Sequence, residues 1–338
     1  MGPGQPLPAG RTGPGLPAGQ GHRSRGRRLS RPAPGGPAPG GPAPGGPCRV
    51  GLTGASGYLG QRLARAAVGA GHEVVDLGRD AGVDLLEPAT LVAAVRASGP
   101  DVVVHAAAAN PGRPPDTFDV VNRAASAALA ETCAALGLRL VHVSTDTVFD
   151  GRSAPYADGA PACPINAYGA SKAEAEAAVL GACPGALVVR TSLIYGLHEP
   201  DRGTAGFLAA LQAGQRVSLF SDVIRQPVWV EALAAGLLQL ATELPDEAGI
   251  MNLAGSQALD RAAFARRMLR FWEVDPSRWG GGLDDVQAAD GVPGVPLDLR
   301  LTLQRAVTLG LSCPGVDEVL ASFNVGGADR AGGNGCAR

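Results

Sequence analysis

From Cys48 onward, short apolar runs alternate with longer amphipathic ones, and glycines and prolines punctuate them. Arg49–Thr53 is a short β-prone run. Gln61–Ala70 has a helical period and stops at Gly71. Glu73-Val74-Val75-Asp76-Leu77 reads as a strand, Pro88–Ala97 as a helix, and Asp101–Ala106 as a nearly all-apolar strand. Thr117–Leu136 is a long alanine-rich helix, Leu138–Ser144 a strand, Ile165–Leu180 a helix and Ala186–Thr191 a strand. Apolar runs of this kind mark strands buried on both faces of a parallel sheet. Regular alternation of strand and helix predicts an α/β fold, a Rossmann-type doubly wound parallel sheet with right-handed crossovers.

After Gly196 the alternation loosens. Ala205–Ala213, Val230–Thr242, Arg261–Trp272 and Val316–Phe323 read as helices, Ile250–Leu253 as a strand and Gly280–Pro296 as a loop. The expected organisation is a main dinucleotide-binding domain over 48–196 that carries the Tyr168–Lys172 helix. A smaller C-terminal α/β substrate-binding region over 197–323 interleaves with it, and 324–338 forms a flexible tail.

Composition changes this picture at the front. Residues 1–47 are rich in proline, glycine and arginine and contain no acid, so they cannot bury a core and are expected to be disordered. A basic arm or an organelle-targeting leader is the alternative reading. Arg27-Arg28 is followed by no apolar run, which argues against a secretory signal. The net charge of −2 gives the folded part no reason to bind nucleic acid, and no apolar run approaches the ~20 residues that cross a bilayer. Six cysteines without a Cys-x-x-Cys pair suit reduced thiols in the cytoplasm, and no spacing of His and Cys suggests a metal.

Two stretches carry chemistry. Gly54-Ala55-Ser56-Gly57-Tyr58-Leu59-Gly60 follows the first strand and opens the first helix, which is where a dinucleotide pyrophosphate binds. Gly54 allows the tight turn, Gly57 the approach of the pyrophosphate, and Gly60 close packing of helix on strand. At the end of the second strand, Gly78 stands where an NAD enzyme usually keeps an acid, and Arg79 follows. That favours NADP(H) over NAD(H), although Asp76 lies on the same strand face. Asp84-Leu85 is placed to meet the adenine, with helix capping as the plainer reading of the aspartate.

The second stretch holds the chain's sole lysine, Lys172, in a chain with 29 Lys and Arg together. It lies four residues after Tyr168, so both face the same side of one helix. A fixed cation there would lower the phenol's pKa. Ser144 and Thr145 end a sheet strand and can donate to a carbonyl oxygen, which completes a Ser/Thr-Tyr-Lys set for hydride chemistry at a carbon–oxygen bond. Arg225 offers a guanidinium to a diphosphate, or to a structural ion pair. His105 and His142 read as packed strand residues.

These residues resemble the extended short-chain dehydrogenases/reductases, most closely the dTDP-4-dehydrorhamnose reductase (sugar-nucleotide reductase) group. The similarity rests on Thr53–Gly60, His105–Ala108, Val121-Asn122, Ser144–Gly151, Tyr168–Lys172 and Arg190–Gly196, and it spans Cys48 to Phe323. It implies reduction of a 4-keto sugar on a nucleotide diphosphate, with Thr145, Tyr168 and Lys172 catalytic. It also implies a cofactor held by Gly54, Ser56, Gly57, Tyr58, Leu59, Gly60, Arg79, Asp84, Leu85, Ala106, Ala107, Ala108, Tyr168 and Lys172. Ser144, Asp146, Thr147, Leu193 and Arg225 would line the substrate site, and Asn122 would support the Tyr-Lys helix. A homodimer is compatible with the resemblance. Two positions depart from the group's pattern: Thr147 replaces a tyrosine and Leu193 a tryptophan, so the sugar pocket loses two stacking surfaces. An epimerase of the same superfamily and a non-catalytic nucleotide-binding regulatory subunit are the alternatives. A dehydratase is disfavoured because Thr147 stands where it would carry a second acid.

Overall fold

A computed structural model describes residues 46–328 of the chain. Nearly all of the expected disordered leader, and residues 329–338 of the expected tail, lie outside the described residues. Six parallel strands form the central sheet in the order β10-β5-β4-β3-β1-β2. They are β1 (Arg49–Thr53), β2 (Glu73–Asp76), β3 (Val102–His105), β4 (Arg139–Thr145), β5 (Leu187–Thr191) and β10 (Gly249–Asn252). The chain steps outward from β1 to β2, then returns past β1 to build β3, β4 and β5. The reversal between β1 and β3 is the switch point at which such sheets bind ligands.

Successive residues of β3 serve opposite faces, because a strand alternates. Val102 and Val104 join the core under α1 (Tyr58–Gly69) and α7 (Val230–Thr242), with Leu52, Leu63 and Leu237. Val103 joins the core under α2 (Pro88–Ser98), α4 (Ala125–Leu136) and α5 (Ala167–Ala182), with Leu91, Leu129 and Val179. All four residues of β3 are buried, as its nearly all-apolar run predicts.

The region after Gly196 is not a separate body. β10 completes the main sheet against β5, and α7 packs into the same core as α1. Around them lie three two-stranded pairs. β6 (Ile194–Tyr195) pairs with β9 (Val228–Trp229), β7 (Arg216–Phe220) with β12 (Gly282–Val286), and β8 (Ile224–Arg225) with β11 (Leu259–Asp260). The remaining helices are α3 (Pro115–Phe118), α6 (Arg202–Gln212), α8 (Arg261–Phe271), α9 (Gln304–Thr308) and α10 (Val316–Ala328).

Three expectations need correction. The stretch Gly280–Pro296 is not wholly loop, since β12 pairs with β7 across it; Asp284 and Asp285 hid the strand, and Arg216 and Arg266 neutralise them. The expected helix over Thr117–Leu136 changes winding partway, because Asp119–Ala124 form a π-helical segment that contains the buried Asn122. The last helix continues to Ala328, into the stretch read as tail.

Candidate active site

The glycine loop is shaped by backbone. Gly54 has φ +73°, and a Cβ there would come within 2.9 Å of the Ala107 nitrogen, so the loop lies against the segment that follows β3. A Cβ on Gly60 would overlap the Gly54 carbonyl oxygen. Gly57 caps α1 with extended backbone and no side chain, which leaves the first-turn amides of α1 for an anion. Ser56 and Gly57 are exposed, whereas Leu59 is buried in the core, so only its backbone faces the loop. Tyr58 stacks under Arg62 at 4.5 Å and donates its hydroxyl to the Glu199 carbonyl at 2.8 Å. That phenol ties the loop to the segment after β6. Ala106, Ala107 and Ala108 are half-buried, and the Ala107 amide donates to Thr53 Oγ1.

At the end of β2, Arg79 is exposed. A Cβ on Gly78 would lie 2.9 Å from Asp76 Oδ1, so the missing side chain makes room for that carboxylate. Oδ1 of Asp76 is buried without a hydrogen-bond partner among the described residues. Asp84 accepts from the Leu86 amide at 3.0 Å, and half-buried Leu85 packs on the core beneath α2. Asp84 is thus a turn-forming aspartate and not the helix cap of its plainer reading, since Glu87 stands at the N-cap of α2.

Thr145 ends β4, and Tyr168 and Lys172 lie on α5, which packs against the turn after that strand. A Cβ on Gly169 would overlap the Thr147 carbonyl oxygen, so α5 begins directly on the turn that follows β4. Asn166 caps α5 by accepting from the Gly169 amide at 2.8 Å. Thr145 caps the turn Asp146–Val148 and accepts from the Thr147 amide at 3.2 Å. The ring of Tyr168 meets Phe118 edge-on at 6.1 Å. Beneath the helix, Asn122 accepts from the Ala109 amide at 2.7 Å and donates to Ser171 Oγ at 2.9 Å. Ser171 in turn donates to the Tyr168 carbonyl at 2.8 Å. The expected support from Asn122 thus runs through Ser171.

The expected effect of Lys172 on Tyr168 is not what this arrangement produces. Lys172 turns into the sheet, where Nζ donates to the Val143 carbonyl at 2.8 Å and meets His142 Nε2 at 3.2 Å. Burial lowers its pKa to about 8, against the opposing pull of Glu176. Surrounding protein pushes the Tyr168 phenol up to about 12, the Asp146 charge adds to that rise, and Arg225 opposes it.

Three expected substrate residues are held by protein. Ser144 donates to Glu176 Oε1 at 2.5 Å, and Glu176 is gripped by Arg190 at 2.7 Å. Asp146 is fully buried, with Arg225 donating to both carboxylate oxygens at 2.8 and 2.6 Å and Ser192 donating at 2.6 Å. The Ser144 hydroxyl hydrogen, both Asp146 carboxylate oxygens and one side of the Arg225 guanidinium are thus engaged by protein. Thr147 and Leu193 are half-buried at the same strand ends. Sequence reading missed Glu176, Ser192, Ser171 and His142. Their partners lie 3 to 49 residues away, and spacing alone does not announce such pairs; only the positions of Ser171 inside the Tyr168–Lys172 run and Ser192 inside the Arg190–Gly196 run gave a signal.

The RmlD substrate binding domain pattern matches residues 48–290. A dTDP-4-dehydrorhamnose reductase of Burkholderia thailandensis is 33% identical over 237 residues, which are 67% of this chain and 78% of that protein. One of Mycobacterium tuberculosis is 32% identical over 240 residues, 68% of this chain and 77% of that protein. The crystal structure of a Bacillus anthracis dTDP-4-dehydrorhamnose reductase in complex with NADP superposes with a TM-score of 0.72 at 22% identity, covering 82% of this chain and 99% of the other. With the matched region spanning most of the described residues, the chain belongs to the RmlD substrate binding domain family, within the extended short-chain dehydrogenases/reductases that its motifs resemble.

Proposed function

We propose that this chain reduces the 4-keto group of a sugar carried on a nucleotide diphosphate, with NADP(H) favoured over NAD(H). The observation that supports the reading is the close seat of α5 on the turn after β4, with Tyr168 in the first turn of that helix and Thr145 at the strand end. The dinucleotide fits the cradle: Gly54 and Gly60 admit no side chain, and the first turn of α1 has no side-chain cap. When bound, the reduced nicotinamide supplies the hydride. Tyr168 supplies the proton to the carbonyl oxygen; with its phenol pushed up to about 12 it holds that proton throughout the neutral range. Thr145 Oγ1 accepts from the Thr147 amide and donates to Asp146 Oδ1 at 3.3 Å, so its hydrogen would turn from that carboxylate to orient the same oxygen. Lys172 contributes a hydrogen-bond donor toward the cofactor ribose. Thr147 and Leu193 give the sugar pocket smaller, non-aromatic walls than the group pattern, which suits a sugar other than the usual dehydrorhamnose.

Exposed Arg79 supports NADP(H) because it can pair with a 2′-phosphate. The orphan oxygen of Asp76 is the one feature that suits a ribose hydroxyl instead. Among the described residues no helix is long and apolar enough to cross a membrane, and Cys48, Cys133, Cys163, Cys183 and Cys313 are free, which fits a cytoplasmic setting. The test is stoichiometric NADPH oxidation with a panel of nucleotide-linked 4-keto sugars. Interconversion of sugars without net NADPH oxidation would make this an epimerase. Cofactor binding with no turnover of any keto sugar would make it a regulatory subunit.

A further inference from the structure

An ammonium has three hydrogens, and the protein fixes two of those on Lys172. One goes to the Val143 carbonyl at 2.8 Å, and one faces His142 Nε2 at 3.2 Å. Lys172 and His142 are both buried, on α5 and β4. Behind His142 lies His105 on β3, with ring centroids 5.1 Å apart. Both nitrogens of His105 are occupied, by Thr53 Oγ1 at 2.6 Å and Ser126 Oγ at 2.9 Å. His142 Nδ1 has no partner among the described residues. A buried nitrogen left alone is unfavourable and calls for a reason.

We propose that His142 is a positioning residue: its Nε2 lone pair accepts from Lys172, aims the third ammonium hydrogen into the active site, and leaves the imidazole proton on the unpartnered Nδ1. The inference rests on the reductase reading for its catalytic consequence, though not for its geometry. The carbonyl of Val143 can only accept, so Lys172 must donate there, and the imidazole is the second fixed point that defines the ammonium's direction. The charged groups around the pair do not disturb this assignment. Glu176 lies one turn along α5 but is held by Arg190 and Ser144. His105 and His142 are both kept neutral by burial and by the Lys172 charge. A neutral imidazole can serve as a fixed acceptor. The planar, forked guanidinium of arginine would not reproduce this two-point seat, which accounts for a lysine here in a chain that otherwise uses arginine.

The full chain with isotope-labelled lysine and histidine tests this directly, since the single lysine gives one side-chain signal. In the unaltered protein, nitrogen chemical shifts should show His142 with its proton on Nδ1. In His142→Leu, which removes the acceptor, the Lys172 titration midpoint should fall by about one unit or more, because a partner of the charged form is lost. In His142→Gln, which restores an acceptor near the Nε2 position, the midpoint should stay close to that of the unaltered protein. His142→Leu should also lower kcat about tenfold with little change in KM for the keto sugar, and NADPH affinity should fall in step with the Lys172 midpoint. A proton found on Nε2, or an unchanged Lys172 midpoint in folded His142→Leu, would overturn the proposal. If His142→Leu does not fold, the imidazole proton in the unaltered protein still decides. Absence of keto-sugar turnover would count against the reductase reading alone and would leave the magnetic-resonance outcome standing.

Discussion

The two ends of this active site are built in opposite ways. The cofactor end is shaped by side chains that are missing: Gly54, Gly57, Gly60 and Gly78 leave space that backbone, an anion or the Asp76 carboxylate occupies. The chemical end is shaped by side chains that are present, buried and paired: Asp146 with Arg225, Glu176 with Arg190, and Lys172 with His142. An absent side chain acts locally, through the turn in which it sits. A buried charge acts only through its partner, and removal of one partner strands the other. The first end should therefore tolerate polar change and reject bulk, and the second should reject the loss of either partner of a pair.

The largest effect should come from the proposed proton donor, whose hydroxyl does not hold the site together. Tyr168→Phe should reduce turnover by about 10²–10⁴-fold while cofactor binding and unfolding midpoint remain near those of the unaltered protein. A folded variant with more than a tenth of the original kcat would remove Tyr168 as the proton donor. Arg225→Ala should destabilise by about 3–5 kcal/mol in urea unfolding, because Asp146 has no exposure and would lose its bidentate partner. Adding Asp146→Asn to that variant should recover part of the loss, and no recovery would show that the two residues are not coupled.

Acid should act on the same end. In the unfolded chain the two strand imidazoles bind protons near pH 6.5, but in the fold burial and Lys172 hold His105 down to about 3 and His142 well below its ordinary value. Their contribution to stability is present above pH 6.5 and is lost as the pH falls towards those depressed values. Each withdraws up to about 1.4 kcal/mol per pH unit in that window. Urea midpoints measured from pH 7 to pH 4 should fall with that slope, and less steeply in folded His142→Gln. At the cofactor end, Gly60→Ala should destabilise by about 1–3 kcal/mol and weaken dinucleotide binding, since its methyl would displace the Gly54 carbonyl. Calorimetric affinity equal to that of the unaltered protein would show that the turn shifts without cost. The smallest effect is Arg79→Ala, which should weaken NADPH about tenfold and NADH hardly at all. Equal weakening of both would assign the 2′ position to Asp76 or to another group.

The same division decides how much was legible in the sequence. The main sheet could be read because its inner strands are buried on both faces and rich in apolar residues, as in Val102-Val103-Val104. The glycine loop could be read because its geometry is closed within seven residues. β12 could not, since Asp284 and Asp285 sit in it and are neutralised by arginines 68 and 19 residues away in the chain. The positions of Tyr168, Lys172 and Thr145 followed from helix spacing and strand end. The orientation of Lys172 did not, because the side chain that draws it inward is His142 on another element.

The sixth strand carries a consequence for how the chain is made. β5 is buried along its whole length, and β10, which covers its outer side, is not translated until some 60 residues later. Until then a nascent chain presents Leu187–Thr191 as a bare, apolar edge with unpaired amides and carbonyls, the kind of edge to which another chain can add. The six-stranded sheet is complete only when residues 249–252 have been made. A chain stopped just after Gly196 should therefore expose an unpaired β5 edge, and it is expected to self-associate where the full chain does not.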